Sequence, residues 1–437
     1  MSGPGNEKPY RDPIQVLISP SHRVVPPGRP GTVWFLIKLT ATKPDGLEAP
    51  RRLPLNLGLV LDRSGSMAGK PLDYVKRAAC RAVEQMDADD LFSMVVFDDQ
   101  VDVVRPAGPL ADKDPVKAGI AGIRTRGSTN LSGGLIQGYQ EVRKHAGTGW
   151  VNRVLLLTDG RANVGVADPR LLAAKAVAMA GTGVTVSTVG VGEDFDEDLL
   201  LALAEGGKGN YYYLKTPDEI PAVLARELEG LLAMVAQGLR VTVQSGAGCR
   251  VVAVLGYEPC LGPEGILLDL PDMYGNEIKT LVLEVEHPAL AAGAHELLRF
   301  NLAYTDALGG LNAVDLSVAI RLTAAEGPED QAVDFEVVKT VELTRAALAK
   351  DKTVEAMDRG DFEAGRQVLR ERIEALNGLN AAALMPDAEI LVEVEELEHL
   401  VQRMESFADG GANMCCMEPD LRKSMQYQSY QWRRNRR

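Results

Sequence analysis

Between residues 53 and 235, short apolar runs alternate with longer segments whose apolar residues recur every three or four positions. An uninterrupted apolar run predicts a buried strand, and spacing of about 3.6 residues predicts an amphipathic helix. Regular alternation of the two predicts an α/β class domain, a doubly wound and mostly parallel sheet with helices on both faces. Strands are predicted at 55–62, 91–97, 151–158, 183–190 and 210–214, and helices near 70–86, 131–146, 168–181, 196–205 and 218–235. A short Asp-rich turn after 91–97 predicts that 101–105 is an antiparallel edge strand.

The regions on either side of this domain have a different pattern. Short β-branched runs separated by turn residues recur at 239–245, 250–256, 280–287, 297–306, 314–323 and 335–343, and they predict a β-sandwich over 236–345. Two earlier strands, within 14–45, have no sheet of their own, and a hairpin alone is marginal in water. We therefore expect them to complete the sandwich, which makes the α/β domain an insertion; a separate two-stranded module is the alternative. Residues 1–13 predict a disordered arm.

Helical periodicity returns over 346–408, with a break at 359–361 that predicts a helical hairpin and a third helix at 387–408. A small helical packing domain is favoured over a tetratricopeptide-like hairpin, because one repeat is not an array. Residues 409–437 predict a flexible basic tail, whose last sixteen residues hold six basic side chains and no acidic one. This charge favours docking on an acidic surface of the chain itself or of a partner. Simple disorder and nucleic-acid binding are the weaker alternatives.

The candidate chemistry lies where the predicted strands end. The run LNLGLVLDRSGSM, at 55–67, ends in Asp62, Ser64 and Ser66; Thr129 lies in a loop before a predicted helix, and Asp159 ends the strand at 151–158. The carboxyl ends of strands in an open α/β sheet form its ligand sites, so we expect these side chains to converge. Carboxylate and hydroxyl oxygens suit Mg²⁺, with Mn²⁺ as the alternative. Helix capping explains one such residue at a time, but not the whole set.

This order of residues, Asp-x-Ser-x-Ser followed by a loop Thr and a strand-end Asp, resembles the metal-ion-dependent adhesion site of von Willebrand factor A (VWA) domains. The resemblance covers roughly residues 53–235 and is to bacterial-type, cytoplasmic, multidomain members of the family. It implies a Rossmann-like fold, and it implies that all five residues are metal-site positions. It also implies that a carboxylate from a partner protein completes the coordination of the ion. Integrin-type relatives carry an added acidic pair after the last Ser, which the stretch at 67–70 lacks.

The composition limits the classes of binding partner and the cellular compartment that we expect. The 437-residue chain has a formal net charge of −14, which disfavours nucleic acid and anionic membranes as partners. No apolar run approaches the length of a membrane span, and no N-terminal signal precedes the first strands. Five scattered cysteines do not form a disulfide framework, so cytoplasmic residence is the simplest expectation.

No enzyme is predicted. The five histidines have no metal-ligand spacing, no G-x-S-x-G elbow is present, and the candidate site offers no general base beyond its own ligands. The leading hypothesis is a Mg²⁺-dependent protein–protein interaction module that presents its metal to an Asp or Glu of a partner. The alternative is a regulatory subunit of an AAA+ ATPase system of the MoxR or chelatase type. A structural scaffold with a vestigial metal site is the third reading.

Overall fold

The computed structural model describes residues 12–42, 52–147, 149–246, 248–262, 265–308, 310–327, 332–409 and 419–434. The disordered arm predicted at 1–13 therefore lies almost wholly outside the described residues. The chain forms two compact units, of which one is continuous and the other is made of two chain segments. The α/β unit spans Arg51–Met234, and the second unit combines Met1–Pro50 with Val235–Arg437. The α/β unit is thus inserted into the sequence of the second unit.

Strands and helices are numbered in chain order over the described residues. The strands are β1 (Ile14–Pro20), β2 (Val24–Val25), β3 (Gly31–Ala41), β4 (Leu55–Asp62), β5 (Leu91–Phe97), β6 (Val101–Pro109), β7 (Val151–Thr158), β8 (Thr185–Val191), β9 (Lys208–Leu214), β10 (Met234–Ser245), β11 (Arg250–Val254), β12 (Cys260–Gly262), β13 (Gly265–Asp269), β14 (Met273–Tyr274), β15 (Ile278–His287), β16 (Gly293–Asp306) and β17 (Ala313–Ala324). The helices are α1 (Lys70–Gln85), α2 (Asp114–Gly122), α3 (Leu131–Arg143), α4 (Pro169–Gly181), α5 (Glu197–Gly206), α6 (Ile220–Leu232), α7 (Phe335–Asp358), α8 (Phe362–Ala382), α9 (Ala388–Asp409) and α10 (Pro419–Arg433).

The α/β unit is built on one mixed sheet. Its strand order is β6-β5-β4-β7-β8-β9, and all neighbouring pairs are parallel except β5 and β6. The predicted antiparallel edge strand is therefore confirmed, although it extends to Pro109. Every residue of β4, β5 and β7 is buried, which requires cover on both faces of the sheet. The carboxyl ends of β4 and β7 consequently lie side by side at one edge of a covered sheet.

The second unit contains two further sheets. The first has the order β1-β3-β15-β11, and the second has the order β12-β13-β10-β16-β17-β2, with β14 paired to β10. The early strands do join the later ones, since β3 pairs along its whole length with β15. One apolar cluster contains residues from both sheets, such as Phe35 and Leu283 from the first and Val241 and Phe300 from the second. Alternating side chains of the two sheets thus share a core.

The prediction of a strand at 335–343 is wrong, because this β-branched run begins α7. Asp334 caps the helix, with its side-chain oxygen accepting a hydrogen bond from the N–H of Val337 at 3.3 Å. Val337 and Val341 lie one turn apart and pack on Leu36 and Val282 of the first sheet. β-Branched residues fit a helix when its apolar face is buried in this way, so tertiary packing overrides their strand preference. The helical part begins eleven residues earlier than predicted.

The flexible basic tail predicted at 409–437 is a helix over its described part. Leu421 and Met425 of α10 are fully buried in the cluster that α7, α8 and α9 share. The Arg422 guanidinium donates to the carboxylate of Asp358 on α7 at 2.8 Å. The basic residues therefore dock on an acidic face of the chain's own α7, because the apolar side of α10 has a core to enter. The rest of the predicted tail lies outside the described residues.

Two observations concern the cellular location that the sequence predicts. Cys80, Cys249 and Cys260 are free thiols, while Cys415 and Cys416 lie outside the described residues. None of the described helices combines the length and the hydropathy that crossing a bilayer would need. The cytoplasmic location stays a prediction.

Candidate metal centre

Strand β4 delivers the first three candidate residues. Asp62 is its last residue and is fully buried. Asp62 Oδ1 accepts a hydrogen bond from the N–H of Ser64 at 2.7 Å, which turns the chain sharply out of the sheet. A single 3-10 turn, Gly65–Met67, follows and presents Ser66 at the surface. The Asp-x-Ser-x-Ser sequence therefore folds back on itself directly at the end of the central strand.

Strand β7 brings the second carboxylate to this turn. Ser66 Oγ donates to Asp159 Oδ1 at 2.7 Å, and the Oγ atoms of Ser64 and Ser66 are 3.1 Å apart. The hydroxyl of Thr158, the last residue of β7, donates to Asp62 Oδ2 at 2.5 Å. Both oxygens of Asp62 thus already accept hydrogen bonds from the protein. Ser64, Ser66 and Asp159 form one continuous row of oxygen atoms.

Thr129 reaches the same place from the loop before α3. Its N–H donates to Asn163 Oδ1 at 2.8 Å, so the loop after Asp159 holds it in position. A Cβ placed on Gly160 would lie 3.4 Å from Thr129 Oγ1 and 3.7 Å from Ser66 Oγ. Gly160 therefore sits against both hydroxyls. The structure brings all five residues predicted from the sequence to one end of the sheet.

The two carboxylates are electrostatically unfavourable without a cation. Burial raises the pKa of Asp159 to about 6, the hydrogen bond from Ser66 opposes that rise, and the charge of Asp62 adds to it. Burial also raises the pKa of Asp62, and the hydrogen bonds from Thr158 and Ser64 only partly offset this. A divalent cation beside both groups would stabilise their charged forms. Two carboxylates and three hydroxyls are a hard oxygen donor set, so these residues fit Mg²⁺ or Mn²⁺.

A salt-bridge cluster holds the loops of the site in place. Asp98 follows β5, is fully buried, and accepts from the N–H of Gln100, which is the turn role expected of an acid at this place. It also accepts from Nε of Arg63 and Nε of Arg126, each at 2.8 Å. Burial raises the pKa of Asp98, but the hydrogen bonds from Arg126, Gln100 and Arg63 outweigh it and lower the pKa. Asp98 therefore ties the Asp62 turn to the loop that leads to Thr129.

Sequence reasoning missed several residues that support the site. Thr158 and Gly160 flank Asp159, and Asn163 and Asp98 hold the neighbouring loops. The sequence did carry a signal for the salt-bridge cluster. Arg63 lies between Asp62 and Ser64, and the acidic pair Asp98-Asp99 follows the next strand. Throughout the described ranges, no group of three or more His, Cys, Asp or Glu side chains is placed to hold a metal ion. The candidate site is of another kind, in which hydroxyls outnumber carboxylates.

A mixed α/β sheet with a hydroxyl-rich acidic site at the carboxyl ends of its central strands resembles a von Willebrand factor A-type domain. Comparison with known families agrees, since residues 56–226 match the von Willebrand factor type A domain. The likeness to this family covers residues 56–226, which lie within the α/β unit. Domains of this class commonly act as protein–protein interaction modules.

Individual relatives share part of the chain. Uncharacterized protein YfbK of Escherichia coli is 31% identical over 206 residues, covering 46% of this chain and 36% of YfbK. Uncharacterized protein sll0103 of Synechocystis is 37% identical over 169 residues, covering 39% of this chain and 40% of sll0103. The chain thus spans well under half the length of these curated relatives.

Solved structures resemble almost the full length of the chain. A von Willebrand factor type A protein from Catenulispora acidiphila superposes with a TM-score of 0.73, covering 97% of this chain and 98% of that one. The two sequences are 16% identical, so the likeness concerns the fold alone.

Proposed function

We propose that this chain is a divalent-metal-dependent protein-interaction module. Asp62, Ser64, Ser66, Thr129 and Asp159 would hold Mg²⁺, or Mn²⁺ in its place. The observation that carries the proposal is the row of oxygens from Ser64 through Ser66 to Asp159, with Thr129 facing the same glycine. Five oxygen-bearing side chains from three loops meet at one end of the sheet, which capping alone does not require.

The bound ion would supply a Lewis-acidic position with incomplete protein coordination. Hydroxyl ligands do not neutralise the ion, and the two carboxylates together carry at most its own charge. Both carboxylate oxygens of Asp62 already accept a hydrogen bond from the protein, so Asp62 would contact the ion through a bridging water molecule. An Asp or Glu from a partner protein would complete the coordination through a strong, directional, charge-assisted contact. The chain's own residues orient that contact through the rigid turn after β4.

Metal titration of the full chain tests the first half of the proposal. Isothermal titration with MgCl₂ and MnCl₂ should show saturable binding to the native chain, and Asp159→Asn should reduce the affinity at least about tenfold, since it removes one of two charged ligands. Asp73→Asn, which alters an exposed carboxylate on α1, is the matched control and should bind as the native chain does. Equal binding by all three proteins, or no heat of binding in the native chain, would contradict the proposal.

Partner capture tests the second half. Proteins retained by the native chain in Mg²⁺ should be released by EDTA and should not be retained by the Asp159→Asn variant. Circular dichroism of the variant should match that of the native chain, which separates loss of the site from loss of the fold. If EDTA does not release the retained proteins, the result would support the alternative of a structural scaffold with a vestigial metal site. Specific recovery of a P-loop ATPase would support the alternative role as a regulatory subunit of a MoxR- or chelatase-type AAA+ system.

A further inference from the structure

Helix α4, which follows the Asp159 loop, carries exposed apolar residues as well as exposed basic ones. Leu172 packs inward and is fully buried. Leu171 and Val177 point outward and are each 57% exposed, and Ala174 and Ala178 between them are exposed as well. Exposed apolar side chains grouped on one face mark an interaction surface. The outer face of α4 therefore has the composition of a surface that another molecule covers.

The loop at 160–168 joins the candidate metal centre to the first turn of this helix. Asn163 Oδ1 accepts from the N–H of Thr129, and the N–H of Val166 donates to Ser132 Oγ at 2.9 Å, so this loop is fixed to the Thr129 loop and to the first turn of α3. Val166 is 38% exposed. Asp168 then caps α4 by accepting from its first N–H groups. We name Val166, Leu171, Ala174, Val177 and Ala178 the α4 strip.

Three exposed basic side chains lie on α4 and on the loop before it. Arg161, Arg170 and Lys175 are exposed, and their side chains form no ion pair with the described residues. Asp168, at the start of α4, is engaged in capping the helix. Uncompensated basic groups are unexpected on a chain whose net charge is −14. They complement a partner that is acidic and attract it by long-range electrostatics.

We propose that the partner of the metal site is an acidic, amphipathic peptide segment. One of its carboxylates reaches the metal, its apolar side chains cover the α4 strip, and its further acids face Arg161, Arg170 and Lys175. The inference rests on the proposed function, because the metal contact anchors the segment. The combination explains why an apolar surface and unpaired basic residues lie next to a site that needs one carboxylate. Apolar burial would supply affinity, and the charges would supply orientation and speed of association.

A random-peptide display selection on the full chain in Mg²⁺ tests the inference. Three variants of the chain serve as further targets in parallel selections. They are Leu171→Ser/Val177→Ser (the α4 variant), Asp159→Asn, and the control Leu261→Ser, which removes an 89% exposed leucine on β12. The native chain and the control should enrich peptides with several Asp or Glu residues and with apolar residues at helical spacing. The α4 variant should retain acids but lose the apolar enrichment. By fluorescence anisotropy, the peptide selected on the native chain should bind the α4 variant about tenfold more weakly.

The outcomes separate the two proposals. If Asp159→Asn abolishes binding while Leu171→Ser/Val177→Ser binds as tightly as the native chain, the inference is overturned and the proposed function stands. If peptides bind Asp159→Asn as well as the native chain, or none binds in a Mg²⁺-dependent way, both are overturned. If sedimentation shows that the native chain self-associates and the α4 variant does not, the strip is an interface between copies, and the peptide-segment inference is overturned.

Discussion

Helix α3 packs directly on strand β4 through glycine, and this contact offers a sharp test of how the candidate metal centre is supported. A Cβ at Gly138 would lie 2.2 Å from Val60 Cγ2. Val60 is fully buried and β-branched, so its χ1 rotation is restricted. Because α3 begins two residues after Thr129, its distance from β4 also sets the position of Thr129 relative to Asp62.

Gly138→Ala should destabilise the α/β unit by about 1–2 kcal/mol. The exchange gains about 1 kcal/mol of helix propensity, but forcing a methyl group into a packed core costs about 1–3 kcal/mol or more. Gly119→Ala in α2 is the matched control, because its Cβ would lie at an ordinary 3.5 Å from Val104 Cγ1. It should stabilise the unit by about 0.5–1 kcal/mol, so the two variants should differ in sign.

A double mutant identifies the cause. Val60→Ala alone should cost about 2–3 kcal/mol through lost burial and a cavity. Combined with Gly138→Ala it should cost about 1–2 kcal/mol less than the sum, since the new methyl group then occupies the vacated space. Hydrogen exchange with mass spectrometry on the full chain, read on peptides from β4 and β7, measures the unfolding free energy of this unit by itself. Equal signs for Gly138→Ala and Gly119→Ala, or strict additivity of the double mutant, would refute the reasoning.

Three further predictions concern stability. Asp98→Asn should lower the unfolding free energy of the α/β unit by about 2–3 kcal/mol, because it removes the fully buried carboxylate that Arg63 and Arg126 share and leaves Arg63 only its ion pair with Asp102. The same exchange measurement checks it, and a loss under about 0.5 kcal/mol would contradict it. Leu421→Ala should destabilise the helical region by about 2–5 kcal/mol in thermal unfolding, whereas a flexible tail would show no change. Burial raises the pKa of Glu141, but hydrogen bonds, of which that from Lys144 is the strongest, outweigh it and lower the pKa below the usual 4.5. The charged carboxylate therefore stabilises the fold above pH 4.5, and this stabilisation should be lost as the pH falls through the lowered pKa. In acid titrations of unfolding, Glu141→Gln should show a smaller loss of stability than the native chain.

The candidate site was largely readable from the sequence, because its chemistry is concentrated at strand ends. The buried runs that become β4 and β7 each end in an Asp, and the rule that parallel strands present their carboxyl ends together predicts that Asp62 and Asp159 meet. The supporting contacts were not readable in the same way. Thr158 looks like an ordinary strand residue until its hydroxyl is seen to donate to Asp62 on the neighbouring strand.

The sequence by itself determined the α/β unit, its antiparallel edge and the residues at the end of its sheet, since strand and helix periodicity and turn chemistry are local properties. Only the tertiary structure decided the fate of segments whose local signal was ambiguous. The run from Phe335 is β-branched yet helical, because Val337 and Val341 find an apolar sheet surface one turn apart. The basic segment from Pro419 is helical because Leu421 and Met425 enter a core that α7, α8 and α9 supply. In both cases the burial that selects the structure involves residues distant in sequence, which no local pattern can specify.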